Sequence, residues 1–288
     1  MQIITSPSQL ILNDDCSLAN HFKYTRRLYV PSLKRWPSLA SGTAVSYVAE
    51  HLLGEGGKAT PPGQSDVEAL ARECLEDEFK SDDDGGAANL KKFLPGVIRA
   101  VKRIPEWVWQ AEWHVEEEVV GHFPVDDLEV VLKCRPDIFR LFTDQEGVEV
   151  LEIVDFKTTD YNPLDFMLWS PQIRMYAATL KQHYPTRLIQ YRYLCLPTTP
   201  SDKSAPWSPP FIFTAATHDK TVKDILRLAR KLRLAPEPRY SRRCSFCDFQ
   251  GVCTTSVTGG DPESYIASEL KVRPTSEEIE AKKWELQD

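Results

Sequence analysis

Two periodicities run along the chain. Apolar residues recur at helical spacing in residues 42–53, GTAVSYVAEHLL, through Val45, Val48, Ala49 and Leu52, and residues 66–79 read as an acidic helix. Runs rich in Val, Ile, Leu and Phe predict strands over about 111–122, 128–134 with 137–142, 148–156, 188–196 and 211–214. Ser6 before Pro7 marks a helix start, with the helix running to about Asn13 and an amphipathic piece carrying Phe22 and Tyr24 beyond it. Asn162-Pro163 opens a helical stretch that Ser170-Pro171 restarts. The Gly/Pro-rich residues 54–64 and the proline-rich residues 197–210 read as connections, and residues 81–93, SDDDGGAANLKKF, as a mobile loop. A basic helix with Leu226, Leu228, Leu232 and Leu234 on its apolar face, and a final helix over 276–286, complete the prediction.

The run 135–157, RPDIFRLFTDQEGVEVLEIVDFK, joins two apolar segments through Thr143-Asp-Gln-Glu-Gly147 and predicts a β-hairpin. A turn near Glu146 sets Asp137 against Asp155, and strand alternation points Asp155 and Lys157 to one face. Two carboxylates and an ammonium then converge. Such oxygens suit Mg²⁺, which takes a few carboxylates and keeps several waters. A lysine beside the cation can orient or help deprotonate a water for phosphodiester attack. An isolated Asp-x-Lys is more often a cross-face ion pair at a strand end. The Pro-Asp, the hairpin length and the preceding apolar run favour a site.

At 288 residues, with 42% hydrophobic and 27% charged residues, the chain can bury one sizeable core. No apolar run approaches the ~20 residues of a membrane-spanning helix, and MQIITSPSQL has no signal-peptide pattern, so the expectation is a cytoplasmic protein without membrane contact. The net charge is −7 but unevenly spread: residues 66–84 carry nine acids and two bases, residues 223–243 eight bases and two acids. The basic segment suits phosphate tracking and equally suits the solvated face of a helix.

Seven cysteines without an export signal point to thiols or metal ligands. Cys244-Ser-Phe-Cys247-Asp-Phe-Gln-Gly-Val-Cys253 puts three within ten residues, and Cys16 is the candidate fourth ligand of a tetrahedral site. Spacing leaves zinc and iron–sulfur both open. Cys74, Cys134 and Cys195 read as core residues.

Pro136-Asp137 followed by Asp155-Phe156-Lys157 resembles the PD-(D/E)xK nuclease signature, and Gln172-Ile-Arg-Met-Tyr176 resembles the Gln-x-x-x-Tyr motif of its RecB-like branch. With the cysteines, the resemblance narrows to iron–sulfur members similar to the AddB nuclease domain and the CRISPR adaptation exonucleases. It implies an α/β, restriction-endonuclease-like core, a small mixed sheet flanked by helices. A 4Fe–4S cluster on Cys16, Cys244, Cys247 and Cys253 would join the N- and C-terminal parts. It implies one nuclease domain over 1–260, with a helical insertion at about 54–105 and a polar acidic tail over 261–288. Asp137, Asp155 and the Phe156 carbonyl would hold Mg²⁺ or Mn²⁺, Lys157 would act on the attacking water, and Gln172 and Tyr176 would orient DNA. Relatives carry a metal-binding histidine on the first long helix; here Ser46 stands in its place, with Glu50 one turn on as a candidate substitute, while both Glu50 and His51 read more readily as residues of a solvated helix face. Glu116 and Glu118 are further candidates for an acidic ligand or general base. Arg174, Arg242 and Arg243 are candidate DNA contacts.

The activity implied is metal-dependent DNA exonuclease action in recombination, repair or phage DNA processing, in a bacterial cell or phage-infected host. A recombination or helicase partner and a homo-oligomer fit the same picture. The competing readings are a CRISPR spacer-processing nuclease and a nuclease-fold protein that binds DNA or a partner without cutting.

Overall fold

The computed structural model describes residues 1–30, 37–54, 63–79, 86–126, 128–158, 170–186, 188–198, 207–240, 244–245 and 247–275. In chain order the elements begin with β1 (Gln2–Thr5), α1 (Pro7–Asp15), α2 (Ser17–Asn20), a π-helical turn (His21–Thr25) and β2 (Leu28–Tyr29). Four helices follow: α3 (Pro37–Gly54), α4 (Gln64–Phe79), α5 (Gly86–Val101) and α6 (Glu106–Trp109). The strands β3 (His114–Val115), β4 (Val119–Val125), β5 (Leu128–Cys134), β6 (Ile138–Thr143) and β7 (Glu149–Lys157) come next. Then come α7 (Gln172–His183), β8 (Leu188–Cys195), β9 (Phe211–Ile212), α8 (Ala215–Lys231), α9 (Gln250–Val257), α10 (Pro262–Glu269) and β10 (Lys271–Val272). Among the described residues no helix is long and apolar enough to cross a membrane.

The chain divides into two compact units, residues 1–7 with 36–229 and residues 8–35 with 230–288. The first is mixed α/β. Its larger sheet has the order β3-β6-β7-β8-β9, with β7 and β8 parallel and the other pairs antiparallel. A second sheet has the order β1-β5-β4, with β1 parallel to β5. Parallel neighbours need a crossover, and α7 supplies it between β7 and β8. Val154, Phe156, Leu194 and Leu196 form one face of the larger sheet and pack with α3, α4 and α5 in one core. That burial is why β7 is apolar on both faces.

Tyr191, Tyr193 and Ile153 lie on the other face. There α7 is buried along Ile173, Met175, Tyr176, Ala177 and Leu180. Its far end also covers the open edge of β4. The Gln182 amide accepts from His122 N–H at 2.8 Å and donates to His122 C=O at 2.9 Å, standing in for a strand partner.

Three expectations change. Residues 86–93 are helical, not a mobile loop, because Leu90, Phe93, Leu94 and Val97 fall at helical spacing and bury against α3 and α4. The strand expected over 111–122 is broken into β3 and β4, with Glu116 left-handed at φ 49° between them. The basic helix ends at Lys231, and Thr221, Ile225, Leu228 and Ala229 are its buried face, while Leu234 is 68% exposed. Residues 55–62, 80–85, 159–169, 199–206 and the expected final helix lie outside the described residues.

The second unit has its own small core. Ala19, Phe22, Leu28, Phe249, Val252, Ile266 and Leu270 are buried together, with Cys16 and Cys247 packed against them. Part of the segment read as a tail, α10 and β10, belongs to this unit, and β10 pairs antiparallel with β2.

Candidate active site

The β6–β7 hairpin sets the geometry. Its turn is closed by Asp144, whose side chain accepts from the N–H groups of Glu146 and Val148 at 2.9 and 2.8 Å, with Gly147 at φ 77°. The register pairs Ile138 with Val154, so Asp137, one residue before β6, stands level with Asp155. Asp137 Oδ2 accepts from Phe156 N–H at 2.5 Å. Asp155 is buried, 1% exposed, and ion-paired with Lys157. Leu196 N–H takes up the carbonyl of Lys157 on the β8 side. Backbone groups alternate along a strand, so both polar groups of Phe156 turn to the opposite side, where Asp137 sits.

Burial raises the pKa of Asp137 well above the carboxylate range, and the charge on Asp155 adds to that rise. Lys157 responds oppositely. Burial disfavours its charge, but Asp155 and Asp137 outweigh burial and raise its pKa, so it stays an ammonium and a hydrogen-bond donor. Its nitrogen lies 6.0 Å from the centroid of the Tyr193 ring, and Tyr193 is the β8 partner of Asp155.

Two more carboxyl groups join from elsewhere in the fold. On α3, Gly42, Ser46 and Glu50 lie one turn apart along one face. A Cβ at Gly42 would stand 2.8 Å from Thr158 Oγ1, so that face approaches the residue after Lys157 closely. Glu50, on the same face, lies within hydrogen-bonding reach of the carboxyl group of Glu116. Glu116 is anchored by its own N–H donating to Asp137 C=O at 3.0 Å. Burial, then the charge on Glu50, push Glu116 up to about 7, with Asp155 contributing, and burial raises Glu50 as well. Arg135 lies 3.9 Å from Glu116 and opposes these rises. Glu118 is exposed, and it is Glu116 that meets Glu50. His51 is exposed, its Nδ1 3.0 Å from Tyr47 C=O and its ring tilted against that of Tyr47 with centroids 4.1 Å apart.

From α7, Gln172 Nε2 donates to Tyr176 Oη at 2.6 Å. Tyr176 is 5% exposed; burial, then the charges of Asp155 and Asp137, hold its phenol far above its ordinary range. Arg174 is half-buried and its charge reaches Tyr191 and Tyr193. Arg242 and Arg243 lie outside the described residues. One charged group escaped the sequence reading altogether. Glu152, fully buried on the opposite face of β7, accepts from Arg140 at 2.6 and 2.9 Å, from Arg192 at 2.6 Å and from Gln190 at 3.0 Å.

In the second unit Cys16 and Cys247 pack against the same small core. Burial, then the neighbouring thiols Cys16 and Cys253, raise Cys247; burial, then Cys16 and Cys244, raise Cys253. None of the seven cysteines is in a disulfide. The chain leading to Cys244 is tied beside Cys16: Glu237 N–H donates to Ser17 Oγ at 2.8 Å, and Leu18 N–H donates to Glu237 C=O at 3.2 Å.

Among the described residues, no three His, Cys, Asp or Glu side chains are arranged to hold a metal ion as they stand. In the hairpin site Lys157 is ion-paired with Asp155, and Phe156 N–H donates to Asp137. The donor set is nevertheless all oxygen, the chemistry that Mg²⁺ and Mn²⁺ select.

No sequence match was found among curated proteins. A solved structure titled "Crystal structure of SSO0001" is similar to the chain at 16% identity over 75% of this chain and 96% of that one, with a TM-score of 0.30. The family model described as the PD-(D/E)XK nuclease superfamily matches residues 4–254, a span that contains the Pro136-Asp137 and Asp155-x-Lys157 hairpin together with Glu50, Glu116 and the cysteines. By that match the chain belongs to the PD-(D/E)XK nuclease superfamily.

Proposed function

We propose that the protein is a metal-dependent deoxyribonuclease that degrades DNA from an end, in recombination, repair or phage DNA processing. The observation that carries this reading is the meeting of Asp137, Asp155 and Lys157 with the Glu50–Glu116 pair at the end of one hairpin. Asp137, Asp155, Glu50 and the Phe156 carbonyl would hold Mg²⁺ or Mn²⁺, with Glu116 beside them. When bound, the cation supplies Lewis acidity to the phosphate and acidifies water. The protein's own groups do the rest. Lys157, held as an ammonium, donates to the scissile phosphate and stabilises the charge that develops there. Glu116, at about 7, is placed to take the proton from attacking water. Tyr176 already accepts from Gln172, which leaves its own hydrogen to donate toward the carboxylates or the DNA.

Cys16, Cys244, Cys247 and Cys253 would hold a 4Fe–4S cluster, or zinc, and so tie α2 to the segment before α9. Ser46 in place of the helix histidine favours a second reading, a nuclease-fold protein that binds DNA without cutting it. The test is degradation of end-labelled single- and double-stranded DNA by anaerobically purified protein with Mg²⁺, Mn²⁺ or EDTA, with Lys157→Ala alongside. Metal-dependent cleavage that falls about a hundredfold or more in the variant supports the nuclease. Binding without hydrolysis by folded, metal-supplied protein supports the second reading.

A further inference from the structure

Arg135 occupies the corner between β5 and β6, two residues before Asp137. Its side chain is 60% exposed, and its ion pair with Glu116 is long, at 3.9 Å. Arg140 and Arg192 in the same unit behave differently: both are largely buried and closely bonded to Glu152. A guanidinium has five donors in a planar fork that matches a phosphate, and this one uses little of that capacity. Its charge is nevertheless felt by both Glu50 and Glu116, so it stands at the exposed side of the carboxyl group cluster.

The charge balance gives that position a purpose. Glu50, Glu116, Asp137 and Asp155 would repel an incoming phosphodiester, and Lys157, ion-paired with Asp155, is a single cation against them. A second, loosely held cation at the mouth offsets that repulsion where the strand enters. We propose that Arg135 is a substrate-binding residue, whose guanidinium turns from Glu116 to a nonbridging phosphate oxygen of the DNA strand at the site. The assignment rests on the nuclease reading for its substrate, but not on cleavage.

The test uses the full chain and a fluorescent phosphorothioate DNA, with Ca²⁺ as the divalent ion, and reads anisotropy across a KCl series. Arg135→Ala is expected to weaken binding about tenfold and to lower the slope of log K against log salt by about one. Arg135→Lys keeps the charge and loses the fork, so it should keep the slope and recover only part of the affinity. Unchanged affinity and slope in Arg135→Ala, with its circular dichroism unchanged, overturn the proposal. So does an absence of DNA binding by the wild type. If instead the wild type binds DNA with an Arg135-dependent slope but never cuts it with Mg²⁺ or Mn²⁺, the nuclease reading fails while this assignment stands.

Discussion

The carboxyl groups of Glu116 and Glu50 meet within hydrogen-bonding reach, one on a left-handed kink in the chain and the other on a long helix. The raised pKa of Glu116 makes cation binding pH-dependent. Glu116 sits near 7 in the folded protein against an ordinary 4.5, and a cation held beside it would favour its ionised form and displace its proton below about 7. Mn²⁺ affinity should therefore rise with pH up to about 7, and binding should release protons from Glu116 and from Asp137, whose pKa is also raised. Calorimetry in two buffers of different ionisation enthalpy would read that release, and Glu116→Gln should lower it.

The same shift has a stability sign. A carboxyl group whose folded pKa lies above its unfolded value binds more protons when folded, so stability falls as pH rises between the two. In EDTA the wild type should lose about 1–2 kcal/mol as pH rises from 4.5 through 7, after allowing for partial exposure, and Glu116→Gln should lose less. Urea unfolding across that range would show it. Equal slopes for the two proteins would remove the proton from Glu116.

Glu152 is the structural counterpart of Asp155 on the opposite face of β7. Two arginines and a glutamine satisfy it, and the rings of Trp107 and Trp113 lie 4.9 Å from Arg192 and 4.7 Å from Arg140. Glu152→Ala leaves two poorly solvated cations facing each other and should cost about 3–5 kcal/mol in urea unfolding, with cleavage per folded molecule little changed. A loss below 1 kcal/mol would mean the arginines find solvent.

The hairpin and its charges were readable because each carries a local signal. Alternation fixes Asp155 and Lys157 on one face, and the Asp144–Gly147 turn fixes the register that brings Asp137 level. Glu50 was readable as a position on a helix face, but not its partner. A glutamate at positive φ has no sequence signature, so the 111–122 run read as one strand and Glu116 ranked no higher than Glu118. Glu152 was invisible for a related reason. A single acid in a β-rich run reads as a solvent-facing residue until Arg140 and Arg192 are known to flank it from neighbouring strands. Residues 86–93 misread because Gly and Asp composition was weighed above the spacing of Leu90, Phe93 and Leu94.

Gly42 sets how closely α3 approaches the site. The atom that a Cβ would meet is the Thr158 hydroxyl, 2.8 Å away, which can rotate aside. Gly42→Ala should therefore be tolerated within about 1 kcal/mol. Gly42→Val adds bulk that rotation cannot clear and should push Glu50 away from Glu116. The expected readout is Mn²⁺ affinity reduced about tenfold or more with DNA affinity in Ca²⁺ retained. Wild-type Mn²⁺ affinity in the valine variant would show that Glu50 takes no part.

Cys16 and the three later cysteines come from distant parts of the chain, and hydrogen bonds of Ser17 and Leu18 to Glu237 tie the segment after Cys16 to the one before Cys244. The two contributions separate experimentally. Cys16→Ser removes a ligand, so bound iron, or zinc if that is the metal, should fall to a small fraction of wild type, with the melting temperature falling alongside. Ser17→Ala removes only the clasp. It should leave metal content close to wild type after anaerobic purification and speed metal loss to a chelator by about three- to tenfold, because the segment before Cys244 then opens more often. Elemental analysis identifies the metal, and chelator kinetics compare the variants. If Ser17→Ala loses metal at the wild-type rate, the clasp does not hold the site closed. If Cys16→Ser keeps full metal content, the fourth ligand lies elsewhere.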